Sequence, residues 1–232
     1  MTTPIKAVIF DMDGTIVYKD THQASWHALF SRLGVGAEME RINDKYDDKV
    51  TNVMTPENHQ RQFAECVALL RGRTAPSIDD LFPTLPYTAG FSKFCSYLQQ
   101  QGVPTGLVTL SLLMVAEKIQ QEQSLQVVRA NEIYVQDGKY TGEGKIHVLF
   151  GSKGKVVKEV YQELGATKET TAFIGDSLND IGPWEEVGLP LGINLHHPNC
   201  KQHVRAYFDN FHQVKEYFEE QQLLSGKPWS RK

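Results

Sequence analysis

The stretch "VIFDMDGT", Val8–Thr15, decides how this chain is read. It continues an apolar run, "KAVIF" (Lys6–Phe10), of the kind that forms a strand buried on both faces in a parallel sheet. The run then stops at two aspartates one residue apart, followed by Gly14 and Thr15. Residues i and i+2 of an extended segment point the same way, so Asp11 and Asp13 can face one site. Unpaired, two such carboxylates repel, which raises a pKa or destabilises the fold.

Outward from this strand, further segments have the same form. "PTGLVTL" (Pro104–Leu110) and "TTAFIGD" (Thr170–Asp176) are strong strand candidates, and "LPLGIN" (Leu189–Asn194) and "RAYFD" (Arg205–Asp209) weaker ones. Helical patterns lie between. "ASWHALFSRLG" puts Trp26, Leu29, Phe30 and Leu33 on one face, and "TPENHQRQFAECVALLRG" opens with Thr55 as N-cap and Pro56 in the first turn. "TAGFSKFCSYLQQQG" and "KGKVVKEVYQELG" are amphipathic and stop at Gly102 and Gly165. Alternation around Asp137-Gly138 predicts a hairpin. Strands separated by helices predict an α/β fold, a Rossmann-like parallel sheet with helices on both faces. A long helical stretch separates the first two strong strands, which predicts an inserted helical cap over residues 18–86 and a core of residues 1–17 and 87–232.

Bulk properties narrow the function. The chain has 232 residues, 41% hydrophobic and 22% charged, with a formal net charge of -4. That balance disfavours nucleic acid or an anionic membrane surface as a general partner. No apolar run approaches the roughly 20 residues of a membrane span, and the N-terminus has no signal-peptide pattern. Cys66, Cys95 and Cys200 are odd in number and far apart, as expected of free thiols in a reducing compartment, so a cytoplasmic location is expected.

In a parallel α/β sheet, ligands gather at the carboxyl ends of the strands. The first strand ends in Asp11 and Asp13, the second in Thr109, Leu110 and Ser111, and the third in "GDSLND", Gly175–Asp180. Lys153, in "GSKGK", precedes the helix leading to the third. A divalent cation resolves the clustering of carboxylates. Mg²⁺, a hard ion that prefers oxygen donors, suits Asp11, Asp176 and a backbone carbonyl, with Asp13 also a candidate metal ligand. With Lys153, it leaves room for a dianion such as phosphate. An EF-hand loop counted from Asp11 fails, because Ile16 and His22 stand where glycine and glutamate are needed. "GSKGKV" is not a Walker loop, since Val156 replaces the hydroxyl residue.

Taken in order, "DMDGT", "GLVTLS", Lys153 in "GSKGK" and "GDSLND" resemble the four motifs of the haloacid dehalogenase superfamily, and the details are similar to its phosphoserine-phosphatase-like branch. The resemblance covers about residues 5 to 195. It implies an α/β core with an inserted helical cap and a Mg²⁺-dependent phosphatase acting on a small phosphorylated metabolite, as monomer or homodimer. In that reading Asp11 is the nucleophile, Asp13 the general acid and base, and Thr109, with N–H groups near Leu110, a holder of phosphate oxygens. Lys153 neutralises transition-state charge, Asp176 binds the metal, Asp180 orients the metal's water shell or Lys153, and Asn179 reaches the phosphate or shapes its loop. Asp20, Leu110 and Ser111 are candidate substrate-binding residues. Departures concern the substrate. Leu110 and Ser111 stand where the branch has glycines, Asp20 stands for a usual glutamate, and Ala64 occupies the place of a cap arginine, with Arg61 a turn earlier. Phosphotransfer within the same superfamily, or a binding protein that keeps the motifs, are the alternative functions. Two segments are expected away from the chemistry: "HHPNC" (His196–Cys200) as a surface loop, and Trp26, Phe30 and Phe63 as cap core.

Overall fold

A computed structural model describes residues 4–17, 25–46 and 54–224. Strand β1 (Ala7–Phe10) is wholly buried, which is why its sequence is a continuous apolar run. Side chains alternate along it. Val8 and Phe10 join one apolar layer, and Ala7 and Ile9 the other. The first layer is covered by α5 (Phe91–Gln100), α6 (Leu113–Gln123) and α9 (Phe211–Glu220), and the second by α7 (Lys153–Glu163) and α8 (Ile181–Glu185). Phe10 sits at the centre of the first, its ring edge-on to Phe91 at 5.4 Å, Phe211 at 5.9 Å and Phe94 at 6.2 Å.

The remaining strands are β2 (Thr105–Leu112), β3 (Val127–Gln136), β4 (Lys139–Lys145), β5 (Thr171–Gly175), β6 (Leu189–Ile193) and β7 (Ala206–Phe208). They form one sheet in the order β4-β3-β2-β1-β5-β6-β7, parallel except for β4. All five strands expected from the sequence are in it. The hairpin also forms, turning at Asp137-Gly138, but its first strand starts earlier than the alternation suggested. Val127–Arg129 pair in parallel with Gly106–Val108 before the strand continues into the hairpin. The early half carries Arg129 and lacks a clean apolar run, so its sheet role was not legible in the sequence. No helix among the described residues is long and apolar enough to cross a membrane, and all three cysteines are free and buried.

Between β1 and α5 lie the cap helices α1 (Ser25–Arg32), α2 (Gly36–Tyr46), α3 (Pro56–Ala68) and α4 (Ile78–Leu81). Thr55 caps α3 as its sequence position predicts, accepting the Asn58 N–H at 3.1 Å. The chain leaves and rejoins the sheet layer side by side, with Val17 bridging Tyr87 and Thr88 Oγ1 donating to the Thr15 carbonyl at 2.7 Å. A second attachment lies at β4, where Thr74 bridges Lys139 and the N–H groups of Gly72 and Ala75 donate to the carbonyls of Tyr140 and Gly138. We propose 18–86 as the cap limits. Cap residues Leu29, Phe30, Met39 and Leu70 share one apolar cluster with Phe10 and Phe91.

Truncating Phe10 opens the centre of that cluster. Phe10→Ala is expected to cost about 3–5 kcal/mol, read from urea denaturation. A cost below about 1 kcal/mol would show that the cluster does not organise the fold.

Candidate active site

Asp11 follows β1 directly, its N–H donating to the Ile174 carbonyl at 2.9 Å, so the strand pairing itself fixes where it stands. Lys153 opens α7 and is 2% exposed. Its Nζ lies 2.6 Å from Asp11 Oδ1 and 2.6 Å from Asp180 Oδ1. The other oxygen of Asp180 accepts the N–H groups of Asp176 and Ser177, at 2.9 and 3.1 Å. Asp180 therefore holds the lysine with one oxygen and shapes the loop after β5 with the other. Gly154 lets α7 start so deep: a Cβ there would lie 2.8 Å from the backbone of Gly182.

Asp176 is held by Thr15, whose hydroxyl donates to its Oδ1 at 2.9 Å. Gly14 makes this approach possible. Its φ is +83°, and a Cβ would sit 2.4 Å from Asp176 Oδ2. One oxygen from each of Asp11, Asp176 and Asp180 lies within 4.8 Å of the others. Three buried carboxylates against one ammonium leave uncompensated negative charge, which a divalent cation with oxygen ligands can balance. The titration behaviour agrees. Burial pushes Asp11 up to about 7 against the opposing pull of Lys153, and burial, then Asp11 and Asp180, raise Asp176 well above the usual carboxylate range. Burial disfavours the Lys153 ammonium, but the charges of Asp11 and Asp180 outweigh it and raise its pKa.

Asp13 is placed differently from the sequence expectation. It is not in the three-carboxylate group, where Asp180 stands instead. Its Oδ1 accepts the Ser25 N–H at 2.9 Å and its Oδ2 the Ser25 hydroxyl at 3.0 Å, so the carboxylate turns toward the cap. Both of its oxygens accept a bond from Ser25, so its side chain faces the cap while Asp180 completes the carboxylate group. Burial raises its pKa.

The cavity above these groups has a volume of about 610 Å³. Asp11, Asp13, Thr109, Leu110, Ser111, Lys153 and Asn179 all line it, from three separate strand ends and a helix start. Asp20 lies outside the described residues. From the cap come Trp26, His27, Asn43, His59, Gln62 and Phe63. Trp26 and Phe63, expected as cap core, do both jobs: their rings stack at 5.7 Å and also wall the cavity. Arg61 is exposed on α3. His196 and His197, expected in a surface loop, border the cavity, with His196 Nε2 3.5 Å from Asp176 Oδ2.

Two supporting residues escaped the sequence reading. Asn131 is fully buried. Its amide donates to the carbonyls of Leu110 and Val148, at 2.7 and 3.1 Å, and its Oδ1 accepts the N–H groups of His147 and Val148. It thus ties the end of β2 to the segment leading to Lys153. A lone amide inside "VVRANEIYV" was the available signal. The other is Ser25, whose partners are distant in sequence and leave no local trace.

With this geometry in view, comparison with known proteins is informative. The sequence model of the haloacid dehalogenase-like hydrolases matches residues 8–182. The chain belongs to that family. Phosphoserine phosphatase from Methanocaldococcus jannaschii is 24% identical over 190 residues, covering 81% of this chain and 85% of its own. The one from Archaeoglobus fulgidus is 24% identical over 191 residues, and the match covers 82% of this chain but only 52% of that relative, so the chain spans about half of its length. Among solved structures, a substrate-bound phosphoserine phosphatase superimposes with a TM-score of 0.74 at 21% identity, over 93% of this chain and 99% of the other. A probable phosphoserine phosphatase from Vibrio cholerae gives 0.77 at 18% identity, over 97% and 70%. These likenesses establish the shared fold.

The raised carboxylate pKa values predict how stability depends on pH. Asp11 in the folded chain keeps a proton up to about pH 7 that the unfolded chain, with the ordinary aspartate value of 3.8, has already released. Stability from this source is fully present below the unfolded value and is lost as pH rises through 7. In chelator, Tm is expected to fall as pH rises from about 4 to 7 and to level off above that, and a divalent cation to offset the fall. Asp11→Asn should flatten the chelator profile. An equally steep profile for that variant would assign the dependence to other groups.

Proposed function

We propose that this chain is a Mg²⁺-dependent phosphatase that hydrolyses a small phosphomonoester through an aspartyl-phosphate on Asp11. The observation that carries the reading is the arrangement of Asp11 and Asp13 on one cavity, with Lys153 bonded to the first and a cap serine to the second. Asp11 attacks phosphorus, and the bond to the ester oxygen breaks. Asp13 gives its proton to that oxygen, and the alcohol leaves. Asp13 then takes a proton from water as the water attacks phosphorus, and the Asp11–phosphorus bond breaks to release inorganic phosphate. Lys153 offsets the charge on the phosphoryl oxygens in both steps, and Thr109 with the N–H groups near Leu110 holds them. Asp11, Asp176 and a backbone carbonyl fit Mg²⁺, which when bound supplies further charge neutralisation at the phosphoryl group. Asn179 and Ser111 face the bound ester. We further propose a cytoplasmic enzyme acting as monomer or homodimer, with no nucleic-acid or membrane partner.

The relatives' names make phosphoserine the first substrate to test, and the residues of this chain argue against a strong preference for it. Among the described residues, Lys153 is the only lysine or arginine lining the cavity, and it is already bonded to two aspartates. The cap side presents aromatic rings and the Gln62–Asn43 amide pair, bonded at 2.9 Å, to the leaving group. A polar, uncharged alcohol portion fits such walls.

Release of phosphate from 4-nitrophenyl phosphate should require Mg²⁺, and Asp11→Asn should lower it by at least ~10³-fold. Wild-type turnover in that variant would remove Asp11 as nucleophile. Across a panel of phosphorylated metabolites, kcat/KM for phosphoserine should not stand far above the rest. A dominant phosphoserine signal would overturn the specificity argument alone.

A further inference from the structure

The hydrogen bonds around Asp13 form a directed chain. Ser25, the first residue of α1, is fully buried and belongs to the cap. Its N–H and its hydroxyl both go to Asp13, one to each carboxylate oxygen. A serine hydroxyl has one proton. While Asp13 is ionised that proton goes to it, and the 2.8 Å contact between Ser25 Oγ and Ser111 Oγ is then made by the Ser111 proton. Ser111 is fixed in turn, its N–H donating to Thr109 Oγ1 at 3.2 Å, and it lines the cavity. The order is therefore Ser111 to Ser25 to Asp13, from core to cap and back to core. Asp13 also closes the N-terminus of α1, where unpaired N–H groups and the helix dipole favour a carboxylate.

From this geometry we infer that Ser25, backed by Ser111, is a positioning residue that orients Asp13 for proton transfer to the leaving group, and that it does so only while the cap is seated on the core. The inference rests on the phosphatase reading above, in which Asp13 is the acid. A carboxylic acid off by an ångström loses most of its benefit in the transition state. Two donors from one residue, one to each oxygen, fix both the position and the rotation of the carboxylate. No donor from the core side could do this in a cap-dependent way.

The test uses leaving groups of different need. An alkyl phosphate such as phosphoserine releases a strongly basic alkoxide and depends on the acid, whereas 4-nitrophenolate leaves without help. kcat/KM reports formation of the aspartyl-phosphate and is blind to the later hydrolysis, so the ratio of the two kcat/KM values isolates the acid. Asp13→Asn should lower the alkyl value by about 10²–10⁴-fold and the aryl value far less. Ser25→Ala should lower the alkyl value by about 10-fold or more while leaving the aryl value within a few-fold. Ser111→Ala, at a less buried position, should move the ratio in the same direction by a smaller factor, and it serves if Ser25→Ala does not fold. Loss of fold integrity alone would depress both substrates equally. Equal losses on the two esters, or none, in a folded Ser25 or Ser111 variant overturn the inference. If Asp13→Asn also lacks the alkyl-selective loss, the assignment of Asp13 as acid falls with it. If Asp13→Asn shows that loss and the serine variants do not, only the role of the serines falls.

Discussion

The Lys153 ammonium, held between Asp11 and Asp180, is the interaction on which the site depends. A buried cation is costly unless its partners are close and otherwise well bonded. Here both are. Asp11 is set by the pairing of β1 with β5, and Asp180 by two backbone N–H groups of the loop it shapes. The lysine thus links the end of β1, the start of α7 and the turn after β5 in one contact. A cation at the first turn of a helix opposes the helix dipole, so the two aspartates also make this position tenable for Lys153.

Around that contact the carboxylates divide by surroundings more than by sequence. Asp11 and Asp176 look into a shared, charge-rich space, held from behind by Lys153 and Thr15. Asp13, two residues from Asp11, looks instead at uncharged donors of Ser25. Burial raises the pKa of both aspartates, and the neighbours that oppose it differ, Lys153 at Asp11 and Ser25 at Asp13.

Much of this was legible in the sequence because the residues that make the chemistry sit at strand ends. An apolar run that stops at a carboxylate reports both the strand and the site, as at Phe10-Asp11 and Ile174-Gly175-Asp176. The cap was legible as helical periodicity, and Thr55 as its N-cap. What escaped depended on long-range meeting. Ser25 and Ser111 are 86 positions apart and touch through single hydroxyls, which no local pattern marks. Asn131 drew no reading from the sequence, because its bonds join the end of β2 to the segment before Lys153. "HHPNC" looked like a loop tip because proximity to Asp176 arises only when β6 lies beside β5. Spacing put Asp11 and Asp13 at one site, but it does not reveal which way a carboxylate turns, and Asp13 turns toward Ser25.

The cap meets the rest of the chain at several separated places, among them the chain crossing at Val17–Tyr87, the bonds between residues 72–75 and β4, and the bonds of Ser25 to Asp13 and Ser111. A body pinned to another at one point can swing and twist freely. Pinned at two, it keeps a single rotation, about the line that joins the pins. The bonds at Ser25 are a third tie, and they must part before the cap can turn about the line through the other two. Trp26 and Phe63 ride on the cap and wall the cavity that Asp11 lines, so any such turn carries the aromatic wall with it.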